Sequence, residues 1–227
     1  MKKFLALLLI ILVSSILIYA KESSPAALVL KANGEILLNR NNESSRVESG
    51  EVLYSGDELI SKEESMAAIR FVDDGAIIKL FSNSILSINT EKKVDKLDKK
   101  LFLEIGDLWS KVTKEKGEYQ IQTPTSVAAV KGTSFHTNVK DDGETMVITF
   151  EGVVELRTDV GSQDVEEGNT GVAKEGEIPT VEKTKPEQIS EEIKEEIEKA
   201  ESNVIEIQFE DENGEMRTLK IYYKKED

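Results

Sequence analysis

The one histidine of the 227-residue chain, His136, stands three residues after a Lys131-Gly132-Thr133 step in the stretch "TPTSVAAVKGTSFHTNV". A lone imidazole near a Lys-Gly-Thr step raises the possibility of acid–base or phosphate chemistry. The spacing does not fit either. The step lacks the glycine spacing of a phosphate-binding loop, and it does not read as the Lys-Thr-Gly of serine acyltransferases. Neither Ser-x-x-Lys nor Gly-x-Ser-x-Gly occurs. Cysteine is absent as well, which removes thiol nucleophiles, disulfides, Cys zinc sites and a lipid-modifiable Cys. A metal or general-base role for His136 would need carboxylate partners. The candidates are Asp73-Asp74, Asp141-Asp142 and Asp211-Glu212, none with the spacing that wraps a calcium ion. They read as hairpin-turn acids, so the sequence assigns no catalytic residue, cofactor or metal ligand.

The elements that position these residues are strands. Eight glycines are each followed by an acid, at Gly34, Gly50, Gly56, Gly106, Gly117, Gly143, Gly176 and Gly214. Each pair predicts a corner, with glycine supplying positive φ and an exposed acid keeping the turn wet. Between corners the residues alternate. In "MAAIRF", Ala67, Ile69 and Phe71 share one face and Ala68 and Arg70 the other. "VDDGAIIKLF" and "VKDDGETMVITF" each set an Asp-Gly between two such runs, a strong hairpin signal. In the opening stretch, Pro124 ends one run, Val127 to Val130 extend, and Gly132 offers a kink or bulge before a strand from Ser134 to Val139. Parity places Phe135, Thr137 and Val139 inward. His136 falls on the other face, where it is expected to be solvated.

Composition bounds the rest. With 39% hydrophobic and 6% aromatic residues the chain is globular with an aliphatic core. Its formal charge of −15, with no basic stripe to offset it, disfavours nucleic acid as a partner. Lys2 and Lys3, the apolar run from Phe4 to Ile18 and the Ile18-Tyr19-Ala20 step read as an export signal over residues 1–20, cleaved before Lys21. An uncleaved membrane anchor is the alternative. Either outcome places the remainder outside the cytoplasm, periplasmic or secreted.

Taken in order, "GDELISKEESMAAIRFVDDGAIIKLFSNSILSI", "LFLEIGDLWSKV", "YQIQTPTSVAAVKGTSFHTNV" and "VITFEGVVEL" resemble the FecR domain, over about residues 28–175. The shared features are a Gly-Asp step, an Asp-Gly hairpin, an Asn-Ser, a Gly-x-Leu/Trp step, a Thr-Pro segment, a Val-Arg-Gly-Thr-x-Phe signature and a Glu-Gly-x-Val strand. Here the signature positions are Gly56, Asp57, Gly75, Gly106, Trp109, Pro124, Lys131, Gly132, Thr133, Phe135 and Gly152. Lys131 replaces the usual Arg, which keeps the charge but loses the planar fork. The resemblance implies a non-enzymatic, mainly β extracytoplasmic module, a β-helix-like or sandwich-like stack of antiparallel hairpins over residues 26–182. Its best-known members hold a sigma factor with a cytoplasmic N-terminal domain and contact a TonB-dependent receptor outside. Only Met1 to Lys3 precede the apolar segment here, so fold and compartment are carried over and that signalling circuit is not. The expected partner is another envelope protein or a cell-wall component, in a binding, scaffolding or regulatory role. The alternatives are a carboxylate-based envelope hydrolase, marked by two acids in one cleft with one pKa raised, and a signalling protein paired with a TonB-dependent receptor.

Residues 183–227 read as a helix plus a hairpin. "KPEQISEEIKEEIEKAES" puts Pro186 at the first helical position with Ile189, Ile193, Ile197 and Ala200 in one stripe, expected to pack on its own domain. "VIEIQFEDENGEMRTLKIYY" holds two alternating runs about an Asn-Gly turn. Together they are expected to cap an open edge of the stack.

Overall fold

Glycine corners and alternating runs build a sheet that folds over on itself. The computed structural model describes residues 24–94, 96–113 and 117–195, and the backbone of 203–210 and 216–223. The expected export signal and the distal part of the helical stripe, Ile197 and Ala200, lie outside the described residues. Among the described residues no helix is long and apolar enough to cross a membrane.

The chain runs through β1 (Ala27–Asn33), β2 (Ile36–Arg40), β3 (Glu43–Arg46), β4 (Val52–Leu53), β5 (Asp57–Ser61) and β6 (Met66–Phe71). It continues with β7 (Ile77–Leu80), β8 (Ile85–Lys92), β9 (Leu97–Lys111), β10 (Tyr119–Gln122), β11 (Val127–Val130) and β12 (Ser134–Val139). Then come β13 (Thr145–Glu151), β14 (Val153–Arg157), β15 (Ser162–Glu166), β16 (Asn169–Ala173) and β17 (Thr180–Lys183). These form one 17-stranded sheet. The separate hairpin β18 (Asn203–Glu210) and β19 (Met216–Tyr223) follows, in the antiparallel register that the Asn-Gly pattern predicts.

Strand β9 divides the large sheet into two layers. Its first half, through Ile105, pairs with β8 and, in parallel, with β10. Its second half, from Gly106, pairs antiparallel with β7 and β12. One layer, the first sheet, therefore runs β4-β1-β6-β7-β9-β12-β13-β16-β17. The other, the second sheet, runs β3-β2-β5-β8-β9-β10-β11-β14-β15. From β10 onward successive hairpins alternate between layers, each pairing with the previous hairpin of its own layer. The result is the sandwich form of the expected stack.

Alternation within each strand supplies the space between the layers. Val29, Ile69, Phe71, Ile78, Leu108 and Phe135 from the first sheet meet Ile36, Leu59, Leu86, Leu101, Ile121 and Leu156 from the second in one cluster. Tyr119 bridges them, edge-on to Phe71 at 6.3 Å and to Phe135 at 6.4 Å between centroids. Such edge-to-face pairs contribute about 0.5–1.5 kcal/mol beyond area burial.

After β17 the chain crosses the outer face of the first sheet. Pro186–Gln188 form a 3₁₀ turn, held by Lys185 N donating to Gln188 Oε1 at 2.7 Å. The α-helix starts only at residue 191, where Ser190 Oγ accepts from Ile193 N at 3.3 Å. The expected start at Pro186 is thus corrected by five residues, because extended Ile189 separates the two turns and Ser190 is the better N-cap. Ile189 and Ile193 pack against Phe81, Trp109 and Phe150, forming a second apolar cluster outside the sandwich. This segment covers a sheet face; the expected capping of an edge is not what Ile189 and Ile193 do.

Candidate functional site

The Gly56-Asp57 step opens β5. Gly56 turns the chain at φ +97°, and Asp57, expected to be exposed, is 1% accessible. Arg40 grips both carboxylate oxygens, Nε to Oδ1 at 2.8 Å and Nη2 to Oδ2 at 2.7 Å, while Tyr54 N donates to Oδ2 at 2.8 Å. The guanidinium stacks over the Tyr54 ring at 4.9 Å and donates to Val52 O. The Asp57 hydrogen bond raises the Arg40 pKa above its ordinary value against the opposing effect of burial. A planar fork satisfied on every side is a structural clamp joining β2, β4 and β5.

Gly106 marks the point where β9 leaves one layer for the other. It is a mid-strand bend and no hairpin corner. A Cβ there would lie 2.1 Å from Ser84 Oγ and 2.6 Å from Ser84 Cα. Ser84, from the Asn-Ser step, occupies that space so that its Oγ accepts from Asp107 N at 2.8 Å. Asp107 then turns its carboxylate to the outer face of the first sheet. Oδ1 lies 2.8 Å from His136 Nε2 and accepts from Asn138 Nδ2 at 3.0 Å. Burial alone would raise the Asp107 pKa, but the His136 hydrogen bond and charge, with help from Asn138, bring it below its ordinary value.

His136 corrects the expectation of a solvated strand histidine. Parity places it opposite Phe135, as read, yet it is 2% exposed, because that face is itself covered. It pairs in register with Trp109 on β9 and Ile148 on β13, both buried. A His–Asp pair at 2.8 Å resembles the base and orienting group of a triad. However, His136 Nδ1 is buried with no hydrogen-bond partner among the described residues, so none of their hydroxyls is placed for deprotonation.

The Lys131-Gly132-Thr133 step is a packed corner. Lys131 is exposed, Gly132 has φ +68°, and Thr133 Oγ1 donates to Val153 O at 3.1 Å. A Cβ on Gly152 would meet Gly132 O at 3.0 Å and Thr133 Oγ1 at 3.2 Å, so two signature glycines allow adjoining corners to approach. Phe135, after a register shift at Ser134, enters the core fully buried. Pro124 is exposed in the β10–β11 turn, where Thr123 Oγ1 accepts from Ser126 N at 3.0 Å and Thr125 Oγ1 donates to Gly143 O at 2.7 Å. Gly75 closes the β6–β7 hairpin at φ +73°.

The acid pairs behave differently from one another. Lys99 is 1% exposed and donates to Asp73 Oδ2 and Asp74 Oδ2, each at 2.9 Å, with its ammonium 5.4 Å from the Phe71 ring centre. Alternation in β9 puts this lysine on the inner face between Leu97 and Leu101, a signal the charge-rich run 91–100 hid. Asp142 Oδ1 accepts from Glu144 N in its hairpin turn, as a turn acid does. Asp211-Glu212 lies outside the described residues. A groove of about 450 Å³ is lined by Thr123, Thr125, Ser126, Val127, Arg157, Thr158 and Asp159, and a smaller one of about 260 Å³ includes Asp73 beside Lys92, Lys93 and Lys96. Neither groove joins two carboxylates. Among the described residues no three His, Asp or Glu side chains converge on a metal position. Sequence reasoning missed Arg40, Ser84, Lys99 and the role of Asp107, all of which act through contacts made across 17 or more residues.

The sequence model of the FecR protein family matches residues 57–155. No curated protein matches the chain. Two crystal structures of a candidate anti-sigma factor from Parabacteroides distasonis ATCC 8503, at 1.65 and 2.50 Å resolution, are similar at 16% identity and a TM-score of 0.48. Each alignment covers 56% of this chain and 59% of that one, so the match spans less than two thirds of the neighbour's length.

Proposed function

We propose, for a chain whose residues 57–155 carry a FecR domain, that it is a non-enzymatic binding module of the cell envelope with a regulatory or scaffolding role. The observation that carries this reading is where the buried and half-buried acids go. Asp57 is held by Arg40, Asp73 and Asp74 by Lys99, and Asp107 by His136 and Asn138. Each pair joins strands or a hairpin to its neighbour, and the acids of the rival hydrolase reading are neutralised by a lysine where that chemistry needs one protonated and one ionised carboxylate. Exposed corners such as Lys131 and the hairpin turns remain for contact with a protein or a cell-wall component.

The apolar run at Phe4 to Ile18 supports an exported, periplasmic or secreted location. The test is fractionation of cells producing the native protein, with mass spectrometry of its N-terminus. An extracytoplasmic chain beginning near Lys21 is expected. Full-length protein in washed membranes would establish an anchor, and full-length protein in the cytoplasm would overturn the envelope assignment.

A further inference from the structure

We propose that the outer face of the first sheet around Trp109 is a docking face for an amphipathic helix of a protein partner, closed in the free chain by its own residues 186–195. The inference rests on the binding-module reading and specifies which surface binds and what kind of partner it fits.

The first observation is what the face is made of. The chain has one tryptophan and seven phenylalanines. Trp109, Phe81 and Phe150 lie here, outside the main core, with Met66 and Ile77 beside them only partly buried. Lys79 Nζ sits 5.6 Å from the Trp109 ring centre. Aromatic residues and methionine concentrated on one side of a sheet, apart from the sandwich interior, are the composition of an interface core.

The second is the nature of the cover. Ile189 and Ile193, four residues apart, are the apolar residues of the segment in that cluster. Its hydrogen bonds to the sheet include Thr170 Oγ1 to Gln188 Oε1 at 3.3 Å and Gln188 Nε2 to Glu182 Oε1 at 3.4 Å. Beneath it, Trp109 Nε1 and His136 Nδ1 are buried with no hydrogen-bond partner among the described residues, on side chains 3% and 2% exposed that are register neighbours. A buried polar group without a hydrogen bond is destabilising, because its desolvation is not compensated. The closed state thus leaves two polar groups side by side that its own segment does not satisfy.

These facts describe the occupant. It is a helix with aliphatic residues four apart, which reproduce Ile189 and Ile193, and with a carboxylate or amide side chain on the same face to accept from Trp109 Nε1. Such a helix reproduces the apolar contacts of Ile189 and Ile193 and adds an acceptor for Trp109 Nε1 that residues 186–195 do not supply. That difference is the differential affinity a displacement requires.

Trp109, as the sole tryptophan, reports on the site directly. The experiment uses the full chain and its Ile189→Ser/Ile193→Ser variant, titrated with a synthetic peptide of residues 183–200 and with a second peptide carrying Ser190→Glu. Tryptophan fluorescence is the readout, and a scrambled peptide is the control. The variant is expected to bind the first peptide at least about tenfold more tightly than the wild-type chain does, with a fluorescence shift, because its own cover is weakened. Equal affinity of variant and wild type, or binding no better than the scrambled peptide, would overturn the proposal. Should the variant fail to fold, hydrogen exchange on the wild-type chain decides. Amides of residues 193 and 194 are expected to exchange at least about a hundredfold faster than those of β12, as subglobal opening requires; equal protection would refute a displaceable cover. A partner mapped to another surface with the segment still closed would sink this docking face and leave the envelope-module reading standing.

Discussion

Lys99 is an ammonium enclosed among Leu97, Leu101 and Phe71, and it is neutralised there by the two acids of the β6–β7 turn. Removing one partner of a buried pair costs about 3–5 kcal/mol, because the other charges stay buried. Lys99→Met is therefore expected to destabilise by about that amount in chemical denaturation, and Asp74→Asn added to it to recover part of the loss. Additive losses would show that the three groups are not coupled. His136 belongs to the same class. As a buried ring bonded to a carboxylate, its replacement by Ala is expected to cost about 1–3 kcal/mol, well beyond the effect of a surface substitution. Asp107 adds a pH signature. Its folded pKa lies below the ordinary 3.8, so its contribution is fully present above 3.8 and lost as pH falls through the lower folded value. The stability gap between wild type and Asp107→Asn should accordingly be level above about pH 5 and close below 3.8. A gap that widens on acidification would contradict the assigned contacts.

At the scale of elements, β9 carries the architecture, since one strand serves both layers and turns at Gly106. Gly56 offers an internal control, having the same φ of +97° but no atom within 4 Å of the point where a Cβ would stand. Gly56→Ala should therefore cost only the conformational strain, about 1–3 kcal/mol. Gly106→Ala should cost roughly 1–3 kcal/mol more, the usual penalty for overpacking, because Ser84 must move. Equal denaturation midpoints for the two variants would mean that the Ser84 approach is not tight. In the neighbouring corner, Gly132→Val is expected to destabilise by about 1–3 kcal/mol from its φ of +68°. Phe135→Ala, which empties a fully buried site against Tyr119, should cost about 3–5 kcal/mol.

For the whole molecule, one cluster joins both layers while Trp109 sits in a second cluster outside them. Far-UV circular dichroism reports the strands and tryptophan fluorescence the outer face. A single core predicts cooperative loss of both layers. If the segment 186–195 opens on its own, the fluorescence change in urea precedes the dichroism change. Coincident transitions at every denaturant concentration would tie the cover to the global fold.

Much of this was legible in the chain because it depends on local stereochemistry. Alternation in "MAAIRF" put Ala67, Ile69 and Phe71 on the buried face, and the Asp-Gly steps at 74–75 and 142–143 close the hairpins they predict, since turn geometry and strand parity are set within a few residues. The parity of His136 and the inward Phe135 came from the same period of two. Whether a face is wet is another matter. His136 is dry on a face where Trp109 and Ile148 flank it, and the chain returns about fifty residues later to lay Ile189 and Ile193 beside Trp109. Asp57 is dry because Arg40 reaches it from β2, and Lys99 is tolerated inside because two acids arrive from another hairpin. Parity tells which side of a strand a residue occupies; what covers that side is decided only by contacts between segments distant in sequence, where burial and pairing are settled together.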